Sequence, residues 1–179
     1  MTTINNFITE LDTCPPGSPG WRKFEDICLE ILTYLFVPPL SKPKVQLQTF
    51  SGLERRDAVF PNRNTDTSNV WGFLLHELNA RLILFEFKNY DSTEIGKDEV
   101  DQTFNYLTKP MGNLAILLCN KKPHESAYKR RNGIYSEHGK VILLVTKEHL
   151  KEMLSIKERG DDPADLIIDM IETFYLTRE

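Results

Sequence analysis

The stretch Leu82-Ile83-Leu84-Phe85-Glu86-Phe87-Lys88 has the composition of a core strand that ends in two charged residues. Its first four residues are all apolar, so both faces of an extended chain would be apolar there, which is typical of a strand buried between two layers. Alternate residues of a strand point to the same face, so Glu86 and Lys88 share one. Charged groups are costly to bury unless they are paired or bind a metal. The stretch therefore predicts a central strand with a candidate functional site at its end.

Other parts of the chain show the same alternation of short apolar runs and helical patterns. Apolar residues at three- and four-residue spacing predict a helix from Trp21 to the Pro38-Pro39 pair. Further strands are predicted at 45–50, 57–60, 114–119 and 141–145, with a turn around Gly52 between the first two. Further helices are predicted at 71–79, 98–107, 126–137, 148–157 and 164–176. Strands alternating with helices indicate an α/β protein, a three-layer α/β/α sandwich with a central mixed β-sheet.

Length and composition favour one domain. The chain has 179 residues, and Pro15-Pro16-Gly17-Ser18-Pro19-Gly20 separates an N-terminal arm (1–20) from one domain (21–179) that ends in two helices. The cysteines form no CxxC pair, so free thiols in a reducing compartment are expected. The N-terminus does not resemble a signal peptide, and no apolar run approaches the ~18 residues of a membrane span. We expect a cytoplasmic protein that does not contact a membrane.

The formal net charge of −4 argues against a dedicated nucleic-acid coat or a polybasic membrane binder. Basic residues nevertheless cluster in two short stretches. The first adds charge near Asp57 and contains Arg55, Arg56 and Arg63; the second, with a local net charge of +4 between residues 121 and 131, contains Lys121, Lys122, Lys129, Arg130 and Arg131. These side chains could bind DNA phosphates. For residues 129–131, a solvated basic helix face is an equally good interpretation.

Two carboxylates are candidates for a shared site. Asp57 begins a short predicted strand 29 residues before Glu86. If the two strands pair, both carboxylates could bind one divalent cation, and oxygen ligands suit a hard cation such as Mg²⁺. The alternatives are ordinary: an aspartate at a strand start often forms a turn, and Glu-x-Lys is usually an exposed ion pair.

Two helical residues could extend this site. Glu25 borders the apolar face of its helix, where a carboxylate needs a partner. That partner could belong to a functional site, or it could be Arg55 or Arg56 in a structural salt bridge. Gln102 and Tyr106 lie four residues apart and therefore share a helix face. A solvated glutamine is the alternative for Gln102.

The order of these residues resembles the PD-(D/E)xK nuclease superfamily, which has the restriction-endonuclease-like fold. The resemblance is greatest to the branch that holds modification-dependent restriction enzymes and archaeal Holliday-junction resolvases. It covers about residues 21–146 and rests on the ordered set Glu25, Asp57, Glu86, Lys88 and Gln102. One departure is Arg56, which stands where the family has a proline.

The resemblance implies Mg²⁺-dependent hydrolysis of DNA phosphodiesters, with Mn²⁺ as a substitute. Asp57, Glu86 and the Phe87 carbonyl would hold the metal, and Lys88 would orient the attacking water. Glu25 would complete a second metal position or orient a metal-bound water. Gln102 would hold Lys88 or the nucleophile.

The function expected from this resemblance is that of an endonuclease in a bacterial defence or DNA-repair system. A catalytically silent module of the same fold that binds DNA or a protein is the alternative, and an RNA-directed nuclease is a third reading. No helix-turn-helix or zinc-finger pattern is present in the sequence. Target choice would therefore come from DNA structure, from a partner subunit, or from a homodimer.

Overall fold

The computed structural model describes residues 3–48 and 55–178, which contain a five-stranded mixed sheet with strands in chain order. Pairing is antiparallel from β1 to β3 and parallel from β3 to β5. The strands are β1 (Lys44–Gln48), β2 (Arg55–Pro61), β3 (Leu82–Lys88), β4 (Leu114–Cys119) and β5 (Val141–Thr146). The predicted turn around Gly52 and the predicted strand positions 49–50 lie outside the described residues.

Helices cover both faces of this sheet. Ile83 and Phe85 of β3 pack into the large cluster under α1, α2, α3, α6 and α7, whereas Leu84 faces the opposite side. On that side, α4 and α5 pack over β4 and β5 through Val100 and Ile134. The helices are α1 (Thr3–Thr13), α2 (Trp21–Phe36), α3 (Val70–Leu78), α4 (Lys97–Tyr106), α5 (Glu125–His138), α6 (Lys147–Glu158) and α7 (Asp165–Thr177), with a 3₁₀ turn at Lys109–Met111. The α/β class and the mixed sheet are confirmed.

Most predicted elements agree with the structure to within about two residues, and β3 and β4 have the predicted bounds. Gly139 caps α5 in the left-handed conformation (φ 65°), which glycine adopts without strain. The cysteines are free, as expected. No helix in the described part of the chain is long and apolar enough to cross a membrane.

The N-terminal segment is more ordered than the predicted arm. Residues 3–13 form α1, whose Ile4 and Leu11 are buried in the main core. Helix α1 contacts α2 and α6, and Lys151 of α6 pairs with Asp12. The apolar spacing of Ile4, Phe7, Ile8 and Leu11 already has the helical period. Because the Pro- and Gly-rich cluster at residues 15–20 follows this segment, the sequence predicted an arm separate from the domain.

Candidate functional site

Asp57 and Glu86 meet because β2 and β3 are antiparallel neighbours. Ala58 pairs with Phe85, which brings the start of β2 to the end of β3. The Phe87 amide donates to Asp57 Oδ2 at 3.0 Å, and the Asp57 amide donates to Glu86 Oε1 at 3.4 Å. Each carboxylate thus has one oxygen held by the backbone of the other strand. The strand pairing on which the two-carboxylate hypothesis depended is present.

Glu86 is a buried acid in an unfavourable electrostatic setting. It is 2% exposed. Burial, followed by the nearby Asp57, raises the pKa of Glu86 to about 8, while Lys88 opposes the shift. An acid with this pKa keeps its proton at neutral pH unless a cation stabilises the ionised form.

A chain of hydrogen bonds holds Lys88 against α4. Lys88 Nζ donates to Gln102 Oε1 at 2.7 Å, and Gln102 Nε2 donates to Tyr106 Oη at 2.8 Å. Gln102 therefore contacts the candidate site and is not simply a solvated glutamine. The arrangement orients the ammonium group without neutralising its charge, because the amide oxygen that accepts the hydrogen bond is uncharged.

Glu25 reaches the same place from α2. Burial raises the pKa of Glu25 to about 7, with Asp57 the next cause, while Arg55 lowers it. Gln46 Nε2 donates to Glu25 Oε2 at 3.2 Å. Where the sequence left an arginine salt bridge open, Glu25 accepts a hydrogen bond from the Gln46 amide, and the charge of Arg55 lowers the pKa of Glu25 more than that bond does.

Gln46 is a site residue that the sequence analysis missed. Its neighbours in β1 pair with Ala58 and Arg56, so Gln46 lies across from Asp57. Its φ of 53° is in the left-handed region, which is uncommon for a residue other than glycine and often occurs at functional sites. A polar residue in an alternating strand gives no sequence signal for this role.

The donor set suits a hard divalent cation only in part. Asp57 and Glu86 offer one further oxygen each, and Mg²⁺ in proteins commonly uses one or two carboxylates together with waters and substrate phosphates. The buried, proton-retaining Glu86 is the kind of ligand that a cation would ionise. Within residues 3–48 and 55–178, however, no group of three or more His, Cys, Asp or Glu side chains is arranged to hold a metal ion. The metal site stays a prediction.

The first basic stretch was expected to add charge near Asp57, and one of its three arginines, Arg63, lies elsewhere. Arg56 Nε donates to the Tyr106 carbonyl at 3.1 Å, which ties β2 to the end of α4. Arg63 follows Pro61, whose partner in β3 is Leu82, so it lies beyond the other end of β2. Of this stretch, only Arg55 and Arg56 lie near the carboxylates.

The second basic stretch is divided among several partners. Lys129 pairs with Glu125 at 2.5 Å, and Arg130 pairs with Asp101 at 2.5 Å. The Arg131 guanidinium lies over the rings of Tyr128 and Phe174, at 5.1 and 4.8 Å from their centroids. Lys121 donates to the Asp91 carbonyl. Contact of these residues with DNA stays a prediction, and the second half of the stretch largely serves packing between helices.

Comparison with known proteins gives one informative similarity. The chain is 27% identical, over 186 aligned residues, to the transposon gamma-delta 80.3 kDa protein of Escherichia coli (strain K12). The alignment covers 97% of this chain but 26% of the relative, so the chain spans about a quarter of that protein's length. No family model and no solved structure matches.

Proposed function

We propose that this protein is a metal-dependent deoxyribonuclease with a restriction-endonuclease-like fold. The observation that carries the proposal is that four side chains converge at the junction of β2 and β3: Glu25, Asp57, Glu86 and Lys88. Gln102 accepts a hydrogen bond from Lys88 and holds it in place. Placing carboxylates beside a buried acid destabilises a fold unless a cation offsets the repulsion. Such an arrangement is therefore better explained by function than by stability.

In this proposal Asp57, Glu86 and the Phe87 carbonyl would hold Mg²⁺ or Mn²⁺. When bound, the cation would polarise the scissile phosphate and lower the pKa of a water molecule. Lys88, oriented by Gln102, would position that water and stabilise the negative charge that develops on the phosphate oxygens. Glu25, whose pKa of about 7 suits proton transfer near neutral pH, would accept a proton from the water or orient it.

The relative in Escherichia coli supports a DNA substrate, because its name refers to a transposon. We place the activity in the cytoplasm, in a bacterial defence or DNA-repair system. The absence from the sequence of a helix-turn-helix or zinc-finger pattern leaves target choice to DNA structure, a second copy, or a partner subunit.

The test is plasmid nicking by the purified protein with Mg²⁺ or Mn²⁺, against an EDTA control. Lys88→Ala should lower the cleavage rate at least ~100-fold, the loss typical of removing one group that stabilises the transition state. Lys42→Ala is the matched control, because Lys42 is exposed and lies away from the site. The amide of its neighbour Ser41 donates to the Pro61 carbonyl, at the opposite edge of the sheet.

Equal cleavage by wild type and Lys88→Ala would refute the catalytic assignment. Absence of cleavage by well-folded wild type with either metal, together with DNA binding, would favour the catalytically silent module. A parallel assay on RNA distinguishes a ribonuclease from a deoxyribonuclease.

A further inference from the structure

A groove opens at the carboxyl ends of β4 and β5, on the same edge of the sheet as the candidate site. Its volume is about 560 Å³. The lining side chains that matter for its chemistry are Lys121, Lys122, Tyr128, Thr146, Lys147 and His149. In open α/β sheets, ligands commonly bind outside the carboxyl ends of parallel strands.

The groove carries positive charge that carboxylates do not neutralise. In the part of the chain that the structure describes, no carboxylate lies at ion-pair distance from Lys121, Lys122 or Lys147, and Lys121 bonds only a backbone carbonyl. The acid in the lining, Glu148, lies 3.4 Å from Lys151, which also pairs with Asp12, so three lysines face one acid in this groove. The groove is therefore suited to an anion.

The amino end of α6 adds hydrogen-bond donors to these lysines. His149 Nδ1 accepts from the Thr146 amide at 3.0 Å, so the neutral imidazole carries its hydrogen on Nε2. The first amides of the helix, those of Lys147 and Glu148, have no acceptor within the helix. Amides at a helix start combined with lysines are a common means of binding phosphate.

The sheet register gives the distance from this groove to the candidate site. Lys88 pairs with Cys119, and Cys119 pairs with Thr146, so the three residues form one row across the sheet. Adjacent strands are ~4.8 Å apart, which places the Thr146 backbone about 10 Å from that of Lys88. The axial rise of a B-form strand, ~3.4 Å per nucleotide, is the least that each step can add to a phosphate separation, so at most about three steps separate phosphates at the two places.

We propose that the groove is a second phosphate-binding subsite, which holds a backbone phosphate of the nucleic acid within about three nucleotides of the phosphate at Lys88. The strand would run along the carboxyl ends of β3, β4 and β5 instead of along α5, where Lys129 and Arg130 are paired with acids. This inference rests on the proposed function for its ligand, but it requires binding and not cleavage.

The experiment measures DNA affinity as a function of salt. Fluorescence anisotropy of a labelled duplex would be recorded with Ca²⁺ in place of Mg²⁺, for wild type and for the double variant Lys122→Gln/Lys147→Gln. The matched control is Lys42→Gln/Arg81→Gln, which removes two exposed charges at the opposite edge of the sheet. Thermal unfolding confirms that both variants fold.

Each lost phosphate contact reduces the slope of log affinity against log salt by about 0.9. The groove variant loses one phosphate contact, so between about 50 and about 200 mM salt it should lose about 3.5-fold less affinity than wild type. The control should follow wild type. Identical slopes for wild type and groove variant, or equal changes in groove variant and control, would overturn the subsite.

The outcome also separates this inference from the proposed function. Cleavage by wild type without a groove effect leaves the nuclease and removes the subsite. A groove effect in a protein that cleaves nothing supports the subsite and removes the nuclease. A wild type that binds no nucleic acid overturns both.

Discussion

Replacing Glu86 with glutamine should remove a pH-dependent destabilisation of the metal-free protein. The folded-state pKa of Glu86 is about 8, against 4.5 for an ordinary glutamate, because the carboxyl group is buried beside Asp57. A group whose pKa is raised on folding favours the folded state in its protonated form. Its contribution is fully present below pH ~4.5 and is lost as pH rises towards ~8.

The size of the effect follows from the two pKa values. One pKa unit corresponds to ~1.36 kcal/mol, so the full difference amounts to at most about 5 kcal/mol. Linkage gives a decrease of roughly 3 kcal/mol in the free energy of unfolding of wild type between pH 4.5 and pH 7. The glutamine variant keeps the oxygen that accepts the Asp57 amide but cannot ionise. Its stability should therefore fall much less over this range.

Urea denaturation in EDTA at several pH values measures this difference. Glu172→Gln, which removes an exposed carboxylate of α7, is the matched control and should parallel wild type. Added Mg²⁺ or Mn²⁺ should stabilise wild type more at pH 8 than at pH 5, and should stabilise Glu86→Gln less. Parallel stability–pH curves for wild type and Glu86→Gln would show that burial does not perturb this acid, and the reasoning would be wrong.

Four further substitutions test one hydrogen bond at the site, the hydrogen bonds of a buried asparagine and the backbone at two glycines. Gln102→Ala frees the Lys88 ammonium and should lower the single-turnover cleavage rate about 10–100-fold, with duplex affinity in Ca²⁺ unchanged. Asn62→Ala removes two hydrogen bonds to buried carbonyls and should cost about 2–4 kcal/mol in urea denaturation. Gly139→Ala should lower the free energy of unfolding by about 1 kcal/mol, because an added Cβ meets no atom within 4 Å there. Gly112→Ala should lower it several times more in the same measurement, because the Cβ would lie 1.8 Å from a backbone carbonyl oxygen.

The sequence predicted helices and strands well where a strand is buried on both faces, or where glycine and proline mark the end of an element. Strand β4 is buried at every position and therefore reads as an uninterrupted apolar run. Strand β1 is exposed at every position, so its pattern gave only approximate bounds. The pairing of Asp57 with Glu86 could be anticipated from two strands and a connection. The contact of Gln46 with Glu25 could not, because it depends on a left-handed backbone conformation in an edge strand.

The basic residues show a different limit of sequence reasoning. A run such as 129–131 places its side chains around a helix, so charges adjacent in sequence point to different neighbours. Arg130 reaches Asp101 of α4, whereas Arg131 packs over Phe174 of α7. Lys147, which lines the groove with Lys121, is distant from the run and was not a candidate. The positive charge of the groove therefore comes from residues that follow the ends of β4 and β5, and not from a single cluster in the sequence.

The change of strand direction at β3 explains why acids and anion-binding groups share one edge of the sheet. Because β2 runs antiparallel to β3, the start of β2 brings Asp57 to the end of β3. Because β4 and β5 run parallel to β3, their carboxyl ends and the first turns of α5 and α6 lie along the same edge. A helix start carries partial positive charge, and the acids carry negative charge. A cation on the acids would make this whole edge attractive to a phosphodiester, so the net charge of −4 is a poor guide to what the edge binds.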